Sequence, residues 1–557
     1  MNQSQIYLLI AALGYLIISA GISRYIAWAK HPIQKVSDYT VAGRKVGLTL
    51  MSATFIATWC SSYSLFACGE TSYAVGLSGM IWYPIGVAGP VLAMYGIARW
   101  VKRKVPQGWT IGDFVGKLYG DKARFIVAGI VLIAMLFEVT AAIFAGSTLL
   151  NTLTDFPILW GAIILGATFI FYTTLGGLWA VVYGDLIRVL TFMVLGLVAV
   201  PVLLIQVGGV SFLYNELSSD FFNVNAWGIS GMQNFWILLF AYTAGSAAVW
   251  QRVFAARDEE VIDKGFFTFA MGWFPFAIAG GILGFLARIA TTEEILAANA
   301  VPTTISTLAP FGLQLLLLIA LLAVITSSAD SFFNAAVSTY AVDFEGKIFS
   351  RLTGNDRSDS LILRNTKIFA VIFGVLSIFF ASYVRTIIGL LVYNSYIFLG
   401  IIFVVVAAVF TDKITKKGAI SGMVVGLIVS IGGFVVGIDP LLATLLTIAL
   451  SAIATVGISL LDPVKLKITY ETPPAERFRG TFTPGMVYTL YAGLIITASY
   501  PLWTTLIWGT TRVIAPLWLT QIVFWLAPIG VVGLIIQLSY YAYRDREYKK
   551  SVEEVDA

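Results

Sequence analysis

Apolar runs of about 20 residues recur along this chain from Tyr7 to Ala542, and that recurrence dictates its fold class. At about 1.5 Å of rise per residue, a helix of that length crosses a hydrocarbon core of about 30 Å. Composition agrees. Of 557 residues, 59% are hydrophobic and 12% charged, against roughly 25% charged in a soluble domain. A soluble enzyme is thereby excluded, and the chain reads as an all-α polytopic membrane protein.

Bounded by charges, Gly/Pro or polar clusters, the runs predict about fifteen transmembrane helices. They lie at roughly 6–28, 46–69, 74–98, 124–149, 157–178, 181–207, 232–255, 265–288, 312–340, 366–384, 387–411, 417–437, 440–461, 484–507 and 516–541. The first run has no basic stretch before it and no small-residue cleavage pattern after it, so it is expected to remain as a helix. The expected organisation is an N-terminal helix and first cytoplasmic loop (1–45), a first repeat (46–207), a second, inverted repeat (208–411) and two peripheral helices (412–461). A cytoplasmic linker (462–483) containing Pro473 and Pro474, two additional helices (484–542) and a cytoplasmic tail (543–557) follow. The second and seventh runs are each interrupted by small or polar residues, as broken helices of inverted repeats are.

Alternating the spans from an outside N-terminus puts the loops bearing Lys30/Lys35/Arg44/Lys45, Lys102/Arg103/Lys104, Arg257/Lys264, Lys347/Arg351/Arg357, Lys413/Lys416/Lys417, Lys465/Lys467 and Arg544/Arg546/Lys549/Lys550 on one face. By the positive-inside rule that face is cytoplasmic; only Arg288, Arg385 and Arg512 fall opposite. The net charge of +5 is therefore a matter of membrane orientation and not of nucleic-acid binding. Two cysteines, Cys60 and Cys68, and one histidine, His31, leave almost no material for a disulfide framework, a zinc or haem site, or a histidine triad. A Walker-type phosphate loop is absent, so ATP-driven transport has no motor here.

Ionisable residues at membrane depth cost roughly 2.5–3.5 kcal/mol each, which makes every one a functional candidate. They are Glu70, Glu138, Asp185, Arg188 and Asp330. The densest polar cluster is Thr326-Ser327-Ser328-Ala329-Asp330-Ser331 with Asn334, Ser338 and Thr339. Ser327, Ser331, Asn334 and Ser338 share one helical face, with Asp330 adjacent. Oxygen donors of this kind suit a hard monovalent cation or a proton relay, and the same hydroxyls also suit interhelical hydrogen bonds. A second cluster, Ala57 to Ser64 flanked by Gly69, weakens its helix; an unwound turn there would free backbone carbonyls for a cation, and close helix packing is the other reading. In the stretch from Tyr172 to Arg188, Gly176 and Gly177 fit a tight turn. Asp185 and Arg188 beyond it either neutralise one another at i, i+3 or leave Asp185 facing an ion-exit route. Glu138 has no obvious sequence partner and suits a buried protonated carboxyl, a helix–helix hydrogen bond or a substrate contact. Aromatic residues inside spans are mostly packing or interfacial belt, and a few could line a substrate pocket.

Together these stretches resemble the sodium/solute symporters, the family of sodium-coupled sugar, proline, pantothenate and choline transporters. The resemblance is carried by Asp38-Tyr39-Thr40-Val41-Ala42-Gly43-Arg44, by Ala57-Thr58-Trp59 leading to Gly69-Glu70 and Tyr73 to Leu77, by Gly176-Gly177-Leu178-Trp179-Ala180-Val181-Val182-Tyr183-Gly184-Asp185, by Gln251-Arg252 and by Ser327-Ser328-Ala329-Asp330-Ser331. It covers roughly residues 5–460. It implies a leucine-transporter-type 5+5 inverted-repeat core formed by the second to eleventh spans and working by alternating access. Its sodium site would take the carbonyls of Ala57, Cys60 and Val324 and the hydroxyls of Ser327 and Ser328. A second cation site or ion exit would map onto Asp185, Asp330 and Ser331. Substrate contacts would come from Ser61, Ser64, Trp82, Tyr83, Tyr242, Ser246, Tyr393, Asn394 and Tyr396.

The chain also departs from the family. Trp59 stands where proline-transporting members carry a carboxylate, Arg188 replaces a usual glutamine, and Ser246-Ala247-Ala248 is less polar than the sugar- or choline-binding equivalents. The expected function is sodium-coupled uptake of a small organic solute across the plasma (inner) membrane, with the N-terminus outside and the C-terminus cytoplasmic. Sodium is the expected coupling ion. The solute and the lipid bilayer are the expected partners, with no nucleic acid and no obligate protein partner. The alternatives are a proton-coupled carrier using Asp330 or Asp185 and a transporter-like sensor.

Overall fold

The computed structural model describes residues 2–30, 33, 35–291, 293–384, 386–462 and 512–556. Within them the secondary structure is helical apart from two isolated bridges, Val46 with Ala256 and Asn223 with Ile514. Eleven helices among the described residues are long and apolar enough to cross a membrane. The expected run 484–507 and nearly all of the linker 462–483 lie outside the described residues.

Two of the expected apolar runs are broken, and two others are joined into one kinked helix. The run 46–69 divides into Leu48–Trp59, a wide turn Tyr63–Ala67 and Cys68–Val75. The run 232–255 divides at Ser246 into Ile229–Gly245 and Ala247–Ala255. The runs 157–178 and 181–207 join through Ile158–Val194, here called the signature helix, which kinks at Gly177 (φ 55°, ψ −163°). A β-carbon at Gly177 would lie 2.9 Å from the carbonyl oxygen of Tyr39, so both the positive φ and the close approach require glycine there. The tight turn expected at Gly176-Gly177 is thus a kink between two helical limbs.

Small residues also set the centre of the bundle. A β-carbon at Gly284 would meet the Gly69 carbonyl oxygen at 2.0 Å, and one at Gly280 the Leu65 carbonyl oxygen at 2.5 Å. The helix Glu259–Ala290 therefore lies backbone to backbone against residues 65–69 of the broken helix, as small residues allow in membrane bundles. Over its most apolar stretch this central helix is 89% buried, whereas Pro440–Leu461 is 28% buried and presents Leu460 and Leu461 outward. The first is interior and the second peripheral.

The last described helix, Leu517–Asp556, lies along the central helix. Gln537 donates to Thr268 Oγ1 (2.8 Å), and a β-carbon at Gly530 would strike Pro275. Farther along, the Asp545 carboxylate accepts from the backbone amides of Leu48 (3.2 Å) and Thr49 (2.8 Å). It caps the N-terminus of the broken helix, satisfying amides that have no partner within the helix and complementing its dipole.

Candidate functional site

The helix Leu48–Trp59 ends because Cys60 leaves helical geometry (ψ 78°). The Ser61 amide, which would otherwise bond the Ala57 carbonyl, donates to the Trp59 carbonyl (2.8 Å) and to Ser64 Oγ (2.7 Å). The Ser64 and Leu65 amides both turn to the Ser61 carbonyl (3.1 and 3.2 Å), so the Cys60 carbonyl also receives no helical bond. Trp273 Nε1 of the central helix donates to the Trp59 carbonyl (2.7 Å) and holds the broken end in place. The carbonyls of Ala57 and Cys60 are thus released from the helical ladder.

Facing this break is the helix Phe311–Thr339, here the serine helix, which runs through the polar cluster without interruption. The stripe expected on one face is real: Ser327 meets the signature helix, while Ser331, Asn334 and Ser338 meet the helix Ala247–Ala255. Ser327 Oγ donates to Asp185 Oδ1 (2.6 Å). Ser331 Oγ accepts from Arg252 (2.6 Å) and lies 3.0 Å from Thr58 Oγ1 of the broken helix. Gln251 Nε2 lies 2.8 Å from Asn334 Oδ1, 2.9 Å from Ser338 Oγ and 2.6 Å from the Thr40 carbonyl. Ser328 Oγ bonds back to the carbonyls of Val324 (3.2 Å) and Ile325 (3.1 Å).

These hydrogen bonds bear on cation binding. The protons of Ser327 and Ser328 are committed to Asp185 and to helix carbonyls, which leaves oxygen lone pairs available to a cation. Two released carbonyls and two such hydroxyls are all oxygen donors, the kind that suits a hard monovalent ion. Among the described residues no group of three or more His, Cys, Asp or Glu side chains is placed to hold a metal.

Next to the serine stripe lies a buried charge cluster. Asp185 accepts from Thr54 Oγ1 and Ser327 Oγ, both at 2.6 Å, with Arg252 at 3.6 Å and Arg188 at 3.8 Å. Asp330 forms an ion pair with Arg188 Nη2 at 2.6 Å. All four charged residues are at most 2% exposed. Asp185, Asp330 and Ser331 are therefore brought together as expected, but with two guanidinium groups among them. The closer partner of Arg188 is Asp330 on another helix, not its i, i+3 neighbour Asp185. Sequence reasoning missed the roles of Thr54 and Arg252; the available signal was an arginine and a threonine at membrane depth.

Of the expected substrate residues, Ser61, Ser64, Tyr83 and Tyr242 border one narrow cavity of about 10 Å³, room for a single water, together with Trp59, Tyr63 and Trp273. Trp59 and Tyr242 meet edge to face, ring centroids 5.0 Å apart, and the Tyr83 hydroxyl donates to the Tyr63 carbonyl (2.5 Å). Trp59 Nε1 and Tyr63 Oη are buried without a hydrogen-bond partner among the described residues. The remaining candidates lie elsewhere. Trp82 donates to the Val224 carbonyl (2.7 Å), Tyr396 to the Pro440 carbonyl (3.1 Å), and Tyr393 is 41% exposed against Phe434. Ser246 is the buried break in its helix, and its hydroxyl has no hydrogen-bond partner among the described residues. Asn394 donates to Glu138 Oε1 (2.5 Å), so Glu138 has its helix–helix partner. Glu70 accepts from Thr386 Oγ1 (2.6 Å) and the Ile388 amide (3.3 Å), capping the helix Ile387–Phe410.

Residues 39–426 match the model of the sodium:solute symporter family. The chain belongs to the sodium:solute symporter family. This family member is accordingly a multi-pass transporter and not an enzyme, and sodium is its coupling ion. The sodium/glucose cotransporter of Vibrio parahaemolyticus is 22% identical over 459 residues, which span 74% of this symporter and 82% of that protein. The sodium/pantothenate symporter of Haemophilus influenzae is 24% identical over 57% of this chain and 67% of its own. Human sodium-coupled monocarboxylate transporter 1 is 23% identical over 44% and 40%. Among solved structures, a sodium-coupled sialic acid symporter in a substrate-bound outward-open state superimposes with a TM-score of 0.70 at 17% identity, covering 82% of this chain and 99% of that one. A nucleobase–cation symporter in a closed conformation gives 0.52 at 12% identity over 77% and 96%. Both likenesses concern the fold of this symporter.

Proposed function

We propose that this symporter couples sodium influx to uptake of a small organic solute by alternating access, with Ala57, Cys60, Val324, Ser327 and Ser328 as sodium ligands. The observation that carries the reading is the break at Cys60, which releases two carbonyls in a helix that touches the serine helix through Thr58 and Ser331, where the hydroxyls of Ser327 and Ser328 keep free lone pairs. A cation there ties the broken helix to the serine helix. Ser61 and Ser64, which stitch the same break, border the aromatic cavity, so sodium and solute act on one piece of backbone. Binding of each then favours the conformation that binds the other, by a coupling of about 1–3 kcal/mol.

The cavity also indicates what the solute carries. It holds only about one water as it stands, so it must widen to admit a solute; its largely aromatic walls and the unpartnered donors Trp59 Nε1 and Tyr63 Oη then call for an apolar body with at least one hydrogen-bond acceptor. The broken helices at Cys60 and Ser246 support a 5+5 inverted-repeat core within about fifteen spans. The positive-inside pattern supports an outside N-terminus, a cytoplasmic C-terminus and residence in the plasma (inner) membrane.

The test is thermal stability of the detergent-solubilised chain in sodium against potassium or choline chloride at matched ionic strength, followed by a panel of carboxylates, sugars, amino acids and quaternary amines in sodium. A ligand that binds only the folded state raises its stability by mass action. A sodium-specific rise, with a further solute-specific rise in sodium alone, is the expected result. A shift that follows pH and ignores sodium would instead favour a proton carrier.

A further inference from the structure

The buried cluster beside the sodium ligands is built like a cation site. Asp185 and Asp330 bring two carboxylates, and Thr54, Ser327 and Ser331 bring hydroxyl oxygens, all buried at the junction of the broken helix, the signature helix and the serine helix. Such an oxygen-rich, water-poor place is where a hard cation would be held if the carboxylates stood alone. They do not stand alone. Arg188 Nη2 lies 2.6 Å from Asp330 Oδ2, and Arg252 Nη2 lies 2.6 Å from Ser331 Oγ and 3.6 Å from Asp185 Oδ2. Two carboxylates and two guanidinium groups sum to zero.

We infer that Arg188 is a tethered cation occupying what would otherwise be a second sodium site, so that this symporter binds one sodium ion per chain. Resting on the sodium-symport reading above, the inference concerns its stoichiometry. The physical argument is one of charge. Removing Arg188 leaves a net charge of −1 in a dry pocket already lined with oxygen donors, and a buried unpaired carboxylate is strongly unfavourable. A mobile cation of suitable hardness relieves that charge, and sodium is the one the neighbouring donor set already selects. A guanidinium anchored to the signature helix stays with the protein through the cycle, so the site holds its conformational role without drawing on the ion gradient. Accumulation of solute by a symporter scales as the sodium concentration ratio raised to the number of coupled ions, so Arg188 sets that exponent at one.

Binding of radioactive sodium to the purified full-length chain, with sodium as the only ligand, counts the ions directly. Wild type is expected to bind one sodium with a Hill coefficient near one. Arg188→Gln is expected to bind two, and Arg188→Lys, which keeps the charge, one. In the double variant Arg188→Gln/Asp330→Asn the extra ion is lost again. Two ions on the wild type, or one on a monodisperse Arg188→Gln protein, would overturn the inference while leaving sodium coupling intact. No sodium on the wild type would overturn the symport reading and the inference with it. If Arg188→Gln fails to fold, the wild-type count still discriminates, since two ions on the unaltered chain refute the proposal.

Discussion

Ser327 and Ser328 are neighbours with the same side chain, yet the structure assigns them different consequences on truncation. Ser327 Oγ makes a charge-assisted hydrogen bond of 2.6 Å to the buried Asp185 carboxylate. Its loss costs about 1.5–3 kcal/mol of stability with or without sodium. Ser328 Oγ makes only longer bonds, 3.1 and 3.2 Å, back to carbonyls of its own helix. Ser328→Ala should therefore leave sodium-free stability within about 0.5 kcal/mol of wild type. On the proposed assignment, both variants remove one sodium ligand. Taking about 1–2 kcal/mol for one oxygen donor, the sodium concentration for half-maximal stabilisation should rise roughly five- to thirty-fold. The assay is a melting curve of the purified protein at a series of sodium concentrations, which separates the sodium-free melting temperature from the sodium midpoint. An unchanged midpoint in Ser328→Ala would remove that residue from the site. An unchanged sodium-free melting temperature in Ser327→Ala would refute the energetic role given to its bond with Asp185.

Other substitutions test the frame around the site. Gly177→Ala forces a side chain into positive φ and within 2.9 Å of the Tyr39 carbonyl oxygen, and should lower stability by about 1–3 kcal/mol, read by thermal melting. Asn394→Ala strips Glu138 Oε1 of its donor and should cost about 1–3 kcal/mol while leaving the sodium midpoint unchanged; a shifted midpoint would place Glu138 in the coupling path. Asp545→Ala removes the cap on Leu48 and Thr49 and should cost about 1 kcal/mol, with amide exchange rising first in the opening turn of the broken helix.

What could be read from the sequence follows from which physical signals are local. Membrane spans are local, since apolar length alone marks them. The break near Cys60 was also visible, because a run of small and hydroxyl residues weakens a helix in place. The partner of Arg188 was not, since the sequence offers Asp185 at i, i+3 while the shorter contact is to Asp330 across an interface. Aromatic residues were the hardest to place. A membrane helix can be apolar toward lipid and toward its neighbours alike, so periodicity gives no inward face. Trp82 and Tyr83 are adjacent in sequence, yet one reaches the Val224 loop and the other the cavity. Tyr393 and Tyr396 point toward the peripheral helices for the same reason.

The cap that Asp545 places on the broken helix has a mechanical side. The segment Leu48–Trp59 is fastened at its start by the last helix and at its end by Trp273 of the central helix, and Gln537 joins those two helices to each other. Three members pinned pairwise make a triangulated strut that resists sliding of one part past another. Rocking of this assembly as a unit would pivot beyond it, at the unwound residues 60–62, and would carry the last helix along. A spectroscopic label on the exposed side of that helix, for example at Ile536, would report from the molecule's surface how far the Cys60 end of the strut swings.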